Sequence, residues 1–114
     1  MDERFGCFES VGLAVTVTDE RGVIVAMNAA ATRTFAADGG AELVGRNVLD
    51  CHPEAARARL AGMLASASAN HYTISKGGQR KIIHQVPYFA DGVFAGLIEL
   101  SIPIPDELPH FDRG

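Results

Sequence analysis

GLAVTVTDERGVIVAMNAA, residues 12–30, is the stretch that decides the fold. Apolar and polar side chains alternate up to Asp19, with Leu13, Val15 and Val17 on one side and Ala14, Thr16 and Thr18 on the other. That period of two is the mark of a half-buried strand. Asp19-Glu20-Arg21-Gly22 supplies a turn in which Gly22 can take positive φ, and residues 23–27 continue as an apolar strand, so the two runs make a hairpin. Asn28 follows at once and precedes three alanines, which puts a side-chain acceptor where a short helix needs its N-cap. The helix is expected to run to Phe35.

Working outward, Gly39-Gly40 breaks that helix, and residues 42–45 have room for one further turn. Pro53 suits the first turn of a longer helix, with Glu54 near the positive end of its dipole. Leu60, Met63, Leu64 and Ala67 recur at helical spacing while Arg57 and Arg59 look outward, so a main helix is predicted over 53–69. Tyr72 and Ile74 alternate with polar residues up to a Gly77-Gly78 turn; a strand follows over 80–89, a turn at 90–92, and a last strand over 93–102. In that last strand Phe94, Ile98, Leu100 and Ile102 share one face, and Val93, Ala95 and Leu97 the other. Two hairpin blocks flanking a helical stretch predict an α+β plan, one antiparallel sheet with helices on one face and a space enclosed between them. Pro103, Pro105 and Pro109 forbid continued pairing, so an extended tail is expected.

A chain of 114 residues fits one domain, expected as a core over 11–102 between an N-terminal cap at 1–10 and a tail at 103–114. Ten Lys plus Arg against fourteen Asp plus Glu leave a net charge of −4, which argues against nucleic-acid binding. Lys76, Arg80 and Lys81 surround a Gly-Gly turn and read as a solvated hairpin tip. Apolar runs such as residues 93–98 fall far short of the ~20 residues of a membrane helix. The acidic start Met1-Asp2-Glu3-Arg4 is unlike a signal peptide, so a cytoplasmic location is expected, with Cys7 and Cys51 as free thiols.

Taken together, the D-E-R-G hairpin at 19–22, Met27-Asn28-Ala29-Ala30, Leu43-Val44-Gly45-Arg46-Asn47-Val48-Leu49, the His52-Pro53-Glu54 helix start and the closing three-strand block resemble a PAS domain over about residues 11–102. The resemblance implies a five-stranded antiparallel sheet of order 2-1-5-4-3 and a cavity between sheet and helices, where PAS domains hold haem, flavin, a chromophore, a small metabolite or nothing. It leaves the cofactor unknown and argues against three kinds. LOV domains carry their flavin-reactive cysteine directly after the Gly-x-Asn of this segment, where Val48 stands here; Cys51 lies three residues on, and His52 replaces the closing Gln. Haem sensors with an axial His on the long helix would need it where Leu60 stands. The polar clamp of photoactive yellow protein is replaced by Met27, Ala31 and Phe35.

The residues expected to line the cavity are Val15, Met27, Phe35, Val48, Leu60, Met63, His84, Phe94 and Ile98, apolar apart from one histidine. His84 alternates with Ile82 and Val86, and would serve either as a ligand-binding imidazole or, more commonly, as a partly buried histidine bonded across the sheet. Cys51 and His52 are adjacent and diverge, so no metal site is expected; Cys51 reads as a buried small residue sooner than as a redox-sensitive thiol. No nucleophile motif or phosphate loop occurs, and Asp19, Glu42 and Asp50 read as turn and cap residues, so an enzyme is not expected.

The expected function is that of a sensory module that binds a small, mostly apolar ligand and signals by contact with a separate protein; the alternative is a ligand-free dimerisation module. An enzyme using the cleft would depend on His84. No effector follows the last strand in this sequence, so signalling is expected to be non-covalent. The N-terminal segment, with Phe5, Cys7 and Phe8, and the tail, with Leu108 and Phe111, are expected to pack over the outer sheet face and contribute to a two-fold homodimer.

Overall fold

Strand β1 (Ala14–Thr18) pairs antiparallel with β2 (Ile24–Met27), placing Thr16 opposite Met27 and Thr18 opposite Ile24. The computed structural model describes residues 6–114, so the expectation for Phe5 lies outside the described residues. The β1–β2 turn is closed by Asp19, whose Oδ1 accepts from the Arg21 N–H at 2.9 Å and the Val23 N–H at 3.0 Å. Gly22 takes φ 89° there, and a Cβ would stand 3.0 Å from Leu64 and 3.1 Å from Asn47 Oδ1. Both backbone conformation and space therefore call for glycine.

Asn28 caps α2 (Ala29–Thr34), as the sequence predicts, and does more. Its side chain is 0% exposed. Oδ1 accepts from Ala31 N–H at 2.9 Å and from Val15 N–H at 3.0 Å, while Nδ2 donates to Leu13 O at 2.9 Å and Phe8 O at 3.0 Å. One amide thus ties the short N-terminal helix α1 (Gly6–Ser10) and the entry to β1 to the junction of β2 and α2. Helix α1 carries no periodic signal and was not anticipated.

Three single 3-10 turns follow, Ala36–Asp38, Gly40–Leu43 and Val48–Cys51. Asn47 starts the last of them: its Oδ1 accepts from Leu49 N–H and its Nδ2 donates to Arg21 O, each at 2.9 Å. Helix α3 (Glu54–Ser66) is shorter than the predicted 53–69. Pro53 precedes it as the capping residue, and Ala67 ends it in a left-handed conformation (φ 51°), its N–H bonded to Met63 O. Strands β3 (Asn70–Lys76), β4 (Gln79–Ala90) and β5 (Val93–Pro103) complete one antiparallel sheet of order β2-β1-β5-β4-β3. Residues after Pro103 form no regular element.

Register fixes which side chains share a face, because directly opposed residues point the same way. Thr16 faces Glu99 and Gln85, and Ala14 faces Ser101 and Ile83; this is the face under the helices. Val15, Leu100 and His84 form one row of the opposite face, and Val17, Ile98 and Val86 the next. The predicted assignment of Val15, His84, Ile98, Leu100 and Ile102 to the cavity side is therefore corrected. The cause is an irregularity between Tyr88 and Phe89, which pair with Gly96 and Phe94. It breaks the alternation, so that Phe94 and Leu97 both pack on Leu60 and Met63, while Ile98 turns away.

Gly96 (φ 152°) makes this possible, since a Cβ there would collide with the Thr18 carbonyl. The crossing is secured by Leu97 N–H to Thr18 Oγ1 at 3.1 Å and by Tyr88 Oη–H to Thr18 O at 2.8 Å. Burial, with added repulsion from Asp19 and Glu20, raises the Tyr88 pKa above its ordinary value, so the phenol remains a donor. Within the chain Phe8 is half-buried, but Leu108 and Phe111 are exposed and do not cover the sheet.

Asn28→Ala is expected to lower unfolding stability by roughly 2–4 kcal/mol, because two N–H groups and two carbonyls lose partners together. Urea titration of both proteins checks this, and a loss below about 0.5 kcal/mol contradicts it. Asp19 carries an acid-dependent part of stability. Partial burial raises its pKa, but the bonds from Val23 and Arg21 N–H and the Arg21 charge outweigh that and leave it below 3.8. A carboxyl depressed on folding contributes stability above its unfolded pKa, and that contribution fades as pH falls through the folded value. The stability gap between the protein and Asp19→Asn should therefore be flat above roughly pH 5 and shrink below it; a gap that grows on acidification contradicts this.

Candidate ligand cavity

Between the helix-side face of the sheet and the α2–α3 segment lies a cavity of about 270 Å³. Thr16 comes to it from β1, Ile24 and Met27 from β2, and Phe35 from the end of α2. Leu43, Val48, Cys51 and His52 come from the 3-10 turns, Tyr72, Ile74 and Lys76 from β3, Lys81 and Ile83 from β4, and Glu99 and Ser101 from β5. A second space of about 50 Å³ shares Thr16, Val48, His52 and Glu99 with it and reaches Leu60, Gln85 and Leu97.

The floor is polar because of the strand register. Asn70 Nδ2 donates to Gln85 Oε1 at 3.1 Å, and Gln85 Nε2 donates to Glu99 Oε1 at 2.9 Å. An ionised carboxylate only accepts, so Glu99 fixes which way the Gln85 amide points and gives the row a direction from β3 through β4 to β5. Burial first, and then the Glu99 charge, raise the Tyr72 pKa, against a smaller lowering by Arg59. Tyr72 therefore offers an O–H donor at neutral pH.

His52 ends the Val48–Cys51 turn with Nδ1 2.6 Å from Val48 O. A carbonyl accepts, so the proton is on Nδ1, and in the neutral ring Nε2 is left as an acceptor. Lys76 and Lys81 bring positive charge to the β3–β4 end of the cavity. Among the described residues the ion pair found is Arg21 with Asp19, and neither lysine is paired with Asp38 or Glu99.

Of the residues expected to line the cavity, Met27, Phe35 and Val48 do so, and Leu60 lines the smaller space with Val48. Met63 and Phe94 pack in the adjoining core around Leu97. Val15, His84 and Ile98 are on the far side of the sheet. Cys51, read as buried, is exposed at the cavity lip with Sγ 3.5 Å from Asn47 O. Thr16, Glu99, Ser101, Tyr72 and His52 were missed. The available signal was Glu99 and Ser101 on alternate positions of an otherwise apolar strand, facing Thr16 and Ala14 of β1.

Comparison with known proteins bears on the family. A family model described as the PAS fold matches residues 8–103. No curated protein sequence matches the chain. Among solved structures, a C-terminal domain from Streptococcus mutans is 17% identical with a TM-score of 0.67, covering 83% of this chain and 78% of that one. The Vibrio cholerae Aer2 receptor, described as a dual PAS-heme oxygen sensor, is 18% identical with a TM-score of 0.61, covering 82% and 95%. The PAS domain of BvgS from Bordetella pertussis is 19% identical with a TM-score of 0.60, covering 86% and 81%. The family model spans most of the chain, and the β2-β1-β5-β4-β3 sheet agrees with it: this chain belongs to the PAS-fold family.

Proposed function

We propose that the chain is a non-catalytic, cytoplasmic sensory module whose cavity takes a small amphipathic molecule, and which passes the bound state to a separate protein by contact. The observation that carries this reading is the cavity itself, with Ile24, Met27, Phe35, Leu43 and Ile83 around a floor that ends on Glu99. Pockets with apolar walls and a few placed polar groups are typical of small-ligand sites. A volume of about 270 Å³ lies just below the ~300 Å³ at which drug-sized sites begin, so the molecule it takes is small.

The apolar body of the ligand rests on those walls, and a donor group meets Glu99, Thr16 or Ser101. The row of Glu99, Gln85 and Asn70 reaches across β5, β4 and β3, so a contact at the Glu99 carboxylate is felt along the sheet through the two amides. The Aer2 receptor from Vibrio cholerae, a dual PAS-heme oxygen sensor of similar fold, supports the same reading.

A second copy of the chain is the proposed cover for the exposed β4–β5 hairpin end, where Phe89 is on the helix-side face and Val93 on the other. Phe89 is 55% exposed and Val93 69% exposed at the β4–β5 hairpin end, and Leu108 and Phe111 are each 70% exposed in the tail. Apolar side chains left wet at the hairpin end favour association there; the tail leaves β5 at its other end, beside Arg80.

Mass spectrometry of freshly purified protein under native conditions is expected to show a retained small molecule, lost in Ile83→Trp, whose indole occupies the cavity. A wild-type protein that is ligand-free and gains no thermal stability from a panel of small amphipathic amines, alcohols and acids contradicts the ligand reading. It leaves the dimerisation module as the function. In sedimentation at tens of micromolar, a range of ordinary weak-dimer affinities, the full chain is expected to be a dimer and a Phe89→Ser, Val93→Ser variant a monomer; a monomeric wild type contradicts the dimer.

A further inference from the structure

We propose that the cross-strand pair His71–His84, outside the cavity, is a bidentate site for a divalent transition-metal ion of the copper(II) or nickel(II) class. His71 of β3 lies directly opposite His84 of β4, on the sheet face away from the helices. The two Nδ1 atoms are 2.8 Å apart, and the ring centroids are 5.0 Å apart with planes at 68°. With both rings neutral, one Nδ1–H donates to the other Nδ1. The backbone register, rather than any long flexible chain, holds the two nitrogens at that distance.

The separation is compatible with one ion held between the two nitrogens. With metal–nitrogen bonds of about 2.0–2.1 Å, two nitrogens 2.8 Å apart subtend roughly 85–90° at the metal. That is the cis angle of square-planar and octahedral centres. A tetrahedral angle would need the nitrogens about 3.3 Å apart at the same bond length. Copper(II) and nickel(II) favour the tetragonal arrangement, and copper(II) heads the affinity order, so zinc is the weaker ligand partner here.

Binding needs no change in backbone and no net loss of a proton. The donor ring moves its proton from Nδ1 to Nε2, and small rotations about χ2 turn both Nδ1 lone pairs to one point. His71 is on an edge strand and exposed, so the remaining coordination positions open to water. Behind the pair, Leu100 and Val15 continue the His84 row and present no competing charge. Among the described residues no group of three or more metal-ligating side chains occurs, so the site offers two protein nitrogens and leaves the other positions to water.

The test is titration of the full chain with copper(II) chloride, followed by visible absorption and electron paramagnetic resonance. One equivalent is expected to bind with an axial spectrum and hyperfine structure from two imidazole nitrogens. His71→Ala and His84→Ala should each weaken it at least tenfold and reduce the nitrogen count to one, while His110→Ala leaves it unchanged. Zinc(II) should compete at least tenfold less well than nickel(II). A His71→Ala, His84→Ala double variant that binds copper(II) with wild-type affinity and spectrum overturns the assignment, as does a preference for zinc(II) over copper(II).

Discussion

The Asn28 amide is the contact on which the rest of the chain depends. It stands where β2 stops and α2 starts, and its four side-chain bonds reach α1, the residue before β1, β1 itself and the first turn of α2. A buried amide left unpaired would be costly, so the site holds only when all these segments are in place together. Its own N–H also donates to Val15 O at 3.1 Å. The Asn28 side chain thus ties the end of the hairpin to β1, whose backbone register against β5 sets the faces of the sheet.

From that register follows a sheet whose covered face is more polar than its other face. Thr16, Gln85, Glu99 and Ser101 look toward the helices, while Val15, Val17, Ile98 and Leu100 look away. A core built only to be filled would reverse this choice, because polar groups under a helical layer must each find a partner. Gln85 and Glu99 do, in the row with Asn70, while Thr16 and Ser101 line the cavity; among the described residues no fully buried side-chain nitrogen or oxygen lacks a partner. The tight apolar packing is confined to one end, around Leu60, Met63 and Leu97, and the cavity occupies the other.

Much of the fold was legible in the sequence because its signals are local. Alternation over 13–18, Asp19 and Gly22 in one turn, and Asn28 before three alanines each specify a neighbour-to-neighbour geometry. The faces of β5 were not legible. Their parity depends on a break beside Gly96, which exists because the Thr18 carbonyl lies where a Cβ would be, and that contact joins residues far apart in sequence. With apolar residues on both faces, the rule that apolar means inward selected the wrong one, and Val15, His84 and Ile98 were misplaced with it. His52 was read as a boundary because its place on the cavity wall depends on the Val48–Cys51 turn. The end of α3 was overrun because nothing in a run of Ala and Ser marks Ala67 as left-handed.

The central claim is that the polar face of the sheet, not the apolar one, lies under the helices. Nuclear Overhauser contacts in isotope-labelled protein test it most directly. The account predicts cross-peaks from the Leu97 methyls to Leu60 and Met63, and none from Ile98 or Leu100 to either residue. Cross-peaks from Ile98 and Leu100 to Leu60 and Met63, with Leu97 silent, would contradict it and return the cavity to an apolar floor.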